Sequence, residues 1–242
     1  VSEWHVVSFS GGKDSTAMLL RMLEIGMRVD EIIFCDTGVE FPQMYEHVDK
    51  VERYIGREIT RLKDDHDFEY YLLHHRYTPR FKIGLEKSNS IGYSWPSMRK
   101  RWCTAHFKRD AIKKHLAGRE NVIHYIGIAA DEQQRVKDKR YPLVEWRWTE
   151  ADALKYCYDK GFDWGGLYKI FRRVSCWCCP LQRISECRKL RKHFPELWET
   201  LRRWDNATWQ TFKPGWTVDE LDARFAREEE AAAAQMSLFD TA

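Results

Sequence analysis

Apolar residues in the N-terminal half alternate between short unbroken runs and helically spaced faces. His5-Val6-Val7-Ser8-Phe9, rich in β-branched and aromatic residues, predicts a buried strand running straight into a glycine pair. From Asp14 to Ile25, Ala17, Leu20 and Leu23, flanked by Met18, Leu19 and Met22, give a broad helical face that Gly26 ends. Ile32 to Cys35 reads as a second strand, and Val48, Val51 and Ile55 mark a second helix closed by Gly56. Ile59 to Leu62 and Val122 to Ile128 read as a third and a fourth strand. Strands separated by helices imply right-handed crossovers. The expected fold class is therefore α/β, a parallel twisted sheet with helices on both faces, with the ligand site beyond the carboxyl ends of the strands. Ser10 and Asp36 fall at two such ends.

The alternation fails between Asp64 and Met98, which reads as a lobe or long insertion over the site. After Tyr141 the pattern turns helical, with a Trp- and Cys-rich stretch from Asp163 to Pro180 and a basic helix after it. Beyond Phe225, a run of charge and four alanines leads to Gln235-Met236-Ser237-Leu238-Phe239-Asp240, a helical or disordered tether with an apolar tip. The net charge of +3 conceals two basic stretches: Ser97 to Lys114 carries seven Lys/Arg against one Asp, and Arg183 to Arg203 seven against three Glu. Either is ordinarily a solvated helix face; together they raise an anionic partner, nucleic acid, as an expectation. The longest apolar stretches fall far short of the roughly 20 residues of a membrane span, and no basic-then-apolar leader opens the chain, so a cytoplasmic protein with no membrane partner is expected.

Two glycines directly after a strand let the backbone approach a ligand, and the following helix points its N–H groups and positive dipole end at whatever binds. Phosphate is the natural occupant of Ser10-Gly11-Gly12-Lys13-Asp14-Ser15, with hydroxyl donors on Ser10 and Ser15, charge on Lys13, and Asp14 placed to orient the loop or help hold a metal. The Gly-Lys-Ser/Thr ending of a Walker loop is missing. Seven cysteines, four of them crowded at Cys176, Cys178, Cys179 and Cys187, argue for metal or redox chemistry. Cys176 and Cys179 have a two-residue spacing that lets both thiolates face one centre, Cys187 follows, and Cys103 arrives from the basic segment. Four thiolates suit a 4Fe-4S cluster, with tetrahedral zinc as the alternative. Cys35 and Cys157 read as buried strand and helix residues. His74, His75 and His106 read as surface or packing histidines. Trp95, Trp102, Trp146, Trp148, Trp164 and Trp177 read chiefly as core.

Ser8-Phe9-Ser10-Gly11-Gly12-Lys13-Asp14-Ser15 resembles the signature of the PP-loop ATP pyrophosphatases, and Phe34 to Pro42 resembles the second motif of their phosphoadenylylsulfate (PAPS) reductase-like branch. Arg101-Trp102-Cys103-Thr104, Gly127 to Glu132 with Arg135, Pro142-Leu143 before Trp146, and Gly166-Leu167-Tyr168 extend the likeness to about Leu190. The resemblance implies an adenine nucleotide alpha-hydrolase-like fold. It implies ATP with Mg2+, phosphates on Ser10, Gly11, Gly12, Lys13, Asp14 and Ser15, and the nucleotide also near Asp36, Thr37, Gly127 and Glu132. Lys13, Asp14, Asp36 and Arg135 take catalytic roles on this likeness, which also favours iron-sulfur over zinc. Residues 1–145 become a PP-loop nucleotide-binding domain, 146–225 a helical Cys-rich region with a basic helix, and 226–242 a flexible tail.

Sulfonucleotide reductases resemble the chain in loop and cysteine region. Their nucleophilic cysteine, in a Glu-Cys-Gly-Leu-His motif, is not among these residues, and Ala129 stands where that family has an arginine. The second group of relatives resembles tRNA thiolases and DNA phosphorothioation enzymes. It implies an ATP-dependent adenylyl or sulfur transferase acting on nucleic acid, supplied by a sulfur donor such as a cysteine desulfurase, with Arg99, Lys100, Arg101, Lys108 and Arg109 tracking the polyanion. A reductase and a nucleotide-sensing DNA accessory protein are the rival expectations. Gln235 to Phe239 resembles peptides that dock on the bacterial sliding clamp, which favours DNA over RNA as the partner.

Overall fold

The computed structural model describes residues 3–76, 91–174 and 176–240, with side chains described as far as residue 235. Two compact units are each built from two chain segments: Val1–Asp65 with Cys103–Cys176, and His66–Trp102 with Trp177–Ala242.

The first unit holds the sheet. β1 (Trp4–Ser8), β2 (Glu31–Asp36), β3 (Thr60–Lys63) and β4 (Val122–Ile126) lie in the order β3-β2-β1-β4, and every pairing is parallel. Val7 stands opposite both Ile32 and Tyr125, so the central strand is buried on both faces, as its unbroken apolar run requires. β2 and β3 step outward on one side of β1 and β4 lies on the other. The chain therefore reverses its winding between β1 and β4, where α/β sheets open a ligand crevice at the strand ends. All four predicted strands are present. β4 stops short of Ile128 because Gly127 is the centre of a three-residue turn, with Ile128 N donating to Ile126 O at 3.0 Å. α1 (Lys13–Glu24) and α2 (Pro42–Ile55) are the crossover helices, and α1 buries Ala17, Met18, Leu19, Leu20 and Met22 along the predicted broad face. The helix Glu150–Asp159 packs on α1 and starts with a reciprocal cap: Thr149 Oγ1 accepts from Asp152 N, and the Asp152 carboxylate accepts from Thr149 N at 2.9 Å.

The second unit is helical, built on Ile184–His193, Pro195–Ala207 and Val218–Asp240, the last running straight through residue 225. The described parts of the irregular Asp64 to Met98 stretch, from His66 on, belong to this unit, and residues 77–90 lie outside the described ones. Phe68, Trp95, Trp102, Trp177 and Trp204 form an aromatic core, so these tryptophans pack rather than present faces to a base. Asp205 is buried and accepts from Trp95 Nε1 at 2.8 Å and from Val218 N at 2.7 Å. Asp205→Ala strands both donors and is expected to cost about 3 kcal/mol, read as a lowered thermal midpoint; an unchanged midpoint would dismiss the linkage.

The second basic stretch is largely neutralised within the unit. Arg188 pairs with Glu228, Arg191 with Asp222 and Glu229, and Arg202 with Asp219, all four acids lying on the Val218–Asp240 helix. No described helix is long and apolar enough to cross a membrane.

Candidate functional site

The glycine loop leaves the C-terminal end of β1 at the switch point. Gly11 takes φ +75, and a Cβ there would lie 2.7 Å from Met44 Sδ, so both backbone and packing call for glycine. Its carbonyl accepts from the buried Trp164 Nε1 at 2.7 Å and from Thr16 Oγ1 at 3.4 Å. Gly12 is the N-cap of α1, and no side chain caps it from that position. Lys13 N instead donates to the Tyr168 hydroxyl at 2.9 Å. Ser10 and Ser15 place their hydroxyls 3.0 Å apart, and Ser15 Oγ also takes the Ser10 N–H and donates to Gly12 O. Ser10 is exposed, so the hydroxyl pair and the helix N-terminus form an open anion cradle.

A charged group flanks the cradle. Lys13 is buried, with Nζ 3.1 Å from Asp14 Oδ2 and 3.2 Å from Glu150 Oε1. Burial pushes the Asp14 pKa up; Lys13 opposes the rise, and Glu150 and Glu132 add to it. Carboxylate oxygens of Asp14, Glu132 and Glu150 all lie within 4.8 Å of one another. Arg135 pairs with Glu132 on the turn Ala130–Arg135. Glu150 escaped the sequence reading because it sits in the first turn of a capped helix, where an acidic residue has an ordinary structural reason. Gly127 brings the end of β4 hard against the start of α1: a Cβ there would lie 2.6 Å from Ser15 N.

At the neighbouring strand end, one Asp36 oxygen accepts from Gly38 N at 2.9 Å and from the Tyr45 hydroxyl at 2.8 Å, which makes Asp36 the organiser of its turn. The buried Thr37 hydroxyl donates to Glu40 at 2.8 Å and lies 3.7 Å from Cys176 Sγ. Lys108 is turned into this group rather than left on a basic surface. Burial would lower its pKa, but the charges of Cys176, Glu40, Cys35 and Cys103 outweigh that and hold it above its ordinary value. Cys35 is half-buried at the strand end, its thiol pushed up to about 11 by burial against the pull of Lys108. Cys157 is fully buried, as its helix position suggests.

None of the seven cysteines is in a disulfide. Cys103 and Cys176 belong to the first unit, Cys179 and Cys187 to the second. Within the second unit Lys213 is buried, donates to Pro180 O at 2.7 Å and to Gln182 O, and has its pKa lowered by burial against the pull of Cys187 and Cys179. Sequence reading missed Lys213, which lies far from any motif.

A family model for the phosphoadenosine phosphosulfate reductase domain matches residues 4–182. Among curated proteins, an uncharacterised protein of Methanocaldococcus jannaschii is 29% identical over 217 residues, covering 83% of this chain and 40% of the relative. A second from that organism is 26% identical, covering 88% and 51%. An uncharacterised nin region protein of Escherichia phage lambda is 30% identical, covering 66% and 60%. The chain thus spans about half the length of the curated relatives it matches. Among solved structures, the PAPS reductase from Candida auris in a phosphate complex has a TM-score of 0.49 at 15% identity, covering 73% of this chain and 82% of that one. Parallel sheet, switch point and glycine loop define an α/β protein whose glycine loop opens at the sheet's crevice. The chain belongs to the phosphoadenosine phosphosulfate reductase domain family, within the PP-loop adenine nucleotide alpha-hydrolase superfamily.

Proposed function

We propose that this chain uses ATP to activate an oxygen on nucleic acid, as a PP-loop adenylyl or sulfur transferase. The supporting observation is the carboxylate group of Asp14, Glu132 and Glu150 beside the cradle. Hard oxygen donors of that kind suit Mg2+, which binds through one or two carboxylates together with substrate phosphates. Those three residues would hold the metal, which would supply neutralising charge at the phosphates. Ser10, Gly11, Gly12 and Ser15 receive the phosphate oxygens, and Lys13 and Arg135 keep cationic charge beside the carboxylates. The acceptor oxygen bonds to the α-phosphorus and the bond to pyrophosphate breaks; sulfide, freed by a thiol reductant from the persulfide of a donor such as a cysteine desulfurase, then bonds to the atom that carries the activated oxygen, and AMP leaves with that oxygen.

Cys103, Cys176, Cys179 and Cys187 are free thiols, and the soft chemistry of thiolates suits a 4Fe-4S cluster, with zinc as the alternative. The cluster would supply a binding site for sulfide. Exposed Arg99, Arg101 and Arg109 support a polyanion contact. DNA is favoured through the clamp-like Gln235 to Phe239, where Gln235 is exposed and the side chains of 236–239 lie outside the described residues.

Pyrophosphate release from ATP with magnesium, DNA and a sulfur donor tests the reading. Sulfite release from a sulfonucleotide with thioredoxin, and none of pyrophosphate, would replace it with the reductase chemistry named by the matched family. ATP binding without turnover would leave an accessory protein. Iron and sulfide assays on anaerobically purified protein decide the cluster, and a colourless, iron-free protein sinks it.

A further inference from the structure

The orientation of one peptide group decides whether the loop offers a donor or an acceptor to a phosphate. The Gly11 carbonyl faces inward, onto the Trp164 indole N–H at 2.7 Å and the Thr16 hydroxyl at 3.4 Å. No peptide among the described residues is cis, so the Gly12 N–H points opposite to that carbonyl and away from the interior. Thr16 is fully buried, and its oxygen lies 3.0 Å from His47 Nε2. With the Thr16 proton directed to Gly11, His47 must donate from Nε2, which leaves Nδ1 a bare acceptor; Nδ1 is a buried atom with no partner. A bare acceptor is the better tolerated of the two orphans. The His47 ring stacks on Trp164 with centroids 4.4 Å apart, and burial lowers its pKa to about 3, so the imidazole stays neutral and keeps one N–H.

Trp164 reaches this place by way of an unusual backbone. It has φ +53, followed by Gly165 at +58 and Gly166 at +82, a left-handed run that a bulky residue adopts only when its surroundings impose it.

We infer that Trp164, Thr16 and His47 are positioning residues that clamp the Gly11 carbonyl inward and so aim the Gly12 N–H at the polyphosphate of the nucleotide. The inference rests on the reading of Ser10 to Ser15 as a phosphate cradle. All three side chains are buried, so the effect should appear in phosphate recognition and spare the nucleoside.

Calorimetric titration with inorganic pyrophosphate, ATP and adenosine tests it. Trp164→Phe keeps an aromatic ring but removes the N–H together with part of the indole. Its affinity for pyrophosphate and ATP should fall about tenfold, the worth of one hydrogen bond to a charged group, while adenosine affinity holds. Thr16→Val should act in the same direction and decides the matter if Trp164→Phe does not fold. His47→Phe should weaken pyrophosphate binding, and His47→Gln, which retains an N–H donor at similar reach, should restore it. Pyrophosphate affinity equal to the parent's in Trp164→Phe and Thr16→Val overturns the clamp, as does an equal loss for adenosine. A parent protein that binds neither pyrophosphate nor ATP overturns the cradle itself, and the clamp with it.

Discussion

Gly127→Ala is expected to lower ATP affinity by a hundredfold or so. The added Cβ would lie 2.6 Å from Ser15 N, 2.7 Å from Ser15 Cα and 2.8 Å from Asp14 C. Those atoms are backbone in the first turn of α1, so no rotamer change relieves the overlap. Either the end of β4 or the start of α1 must shift, and Ser15 carries the hydroxyl that bridges Ser10 and Gly12. A misplacement near 1 Å in a positioning group costs about a hundredfold, and the overpacking itself about 1–3 kcal/mol of stability. ATP titration beside a thermal melt reads both, and parental affinity in the variant would show that the two backbones do not meet at the cradle.

The second large effect is expected from Asp14→Asn. Asp14 shares Lys13 with Glu150 and sits with Glu132 inside a 4.8 Å carboxylate group. The amide keeps the shape and removes one anionic ligand, so magnesium-dependent pyrophosphate release should fall about a hundredfold, a loss near 2.7 kcal/mol of transition-state stabilisation. The magnesium concentration giving half-maximal rate should rise with it. A variant with parental rate and magnesium dependence would remove Asp14 from the metal reading and leave it an ion-pair partner of Lys13.

The sheet was legible because its strands are buried on both faces, so Val6-Val7 and Ile32-Ile33-Phe34 appear as unbroken apolar runs with helices between them. The loop was legible because a glycine pair directly after a strand marks a tight turn into the next helix. Less visible were interactions that depend on a long return of the chain. Glu150 reaches Lys13 across most of the first unit's length, and Trp164 reaches Gly11 from a tryptophan-rich stretch where nothing local marks one indole as different. Lys108 belongs to a basic run in sequence, yet it faces Glu40 and three thiols. The irregular stretch after Asp64 gave no periodic signal, and its described parts join the C-terminal helices through tryptophan packing that no spacing rule encodes.

The helix Val218–Asp240 lays Asp219, Asp222, Glu228 and Glu229 along the arginines of the second basic stretch, as a built-in decoy for the anion those arginines would otherwise attract. Shortening the chain after Ala226 would keep the buried Leu221 and Phe225 but release Arg188 from Glu228 and Arg191 from Glu229. Such a fragment should acquire a salt-sensitive grip on any polyanion, heparin as readily as DNA, that the intact helix suppresses. Affinity gained by trimming would therefore report unmasked arginines and say nothing about the substrate.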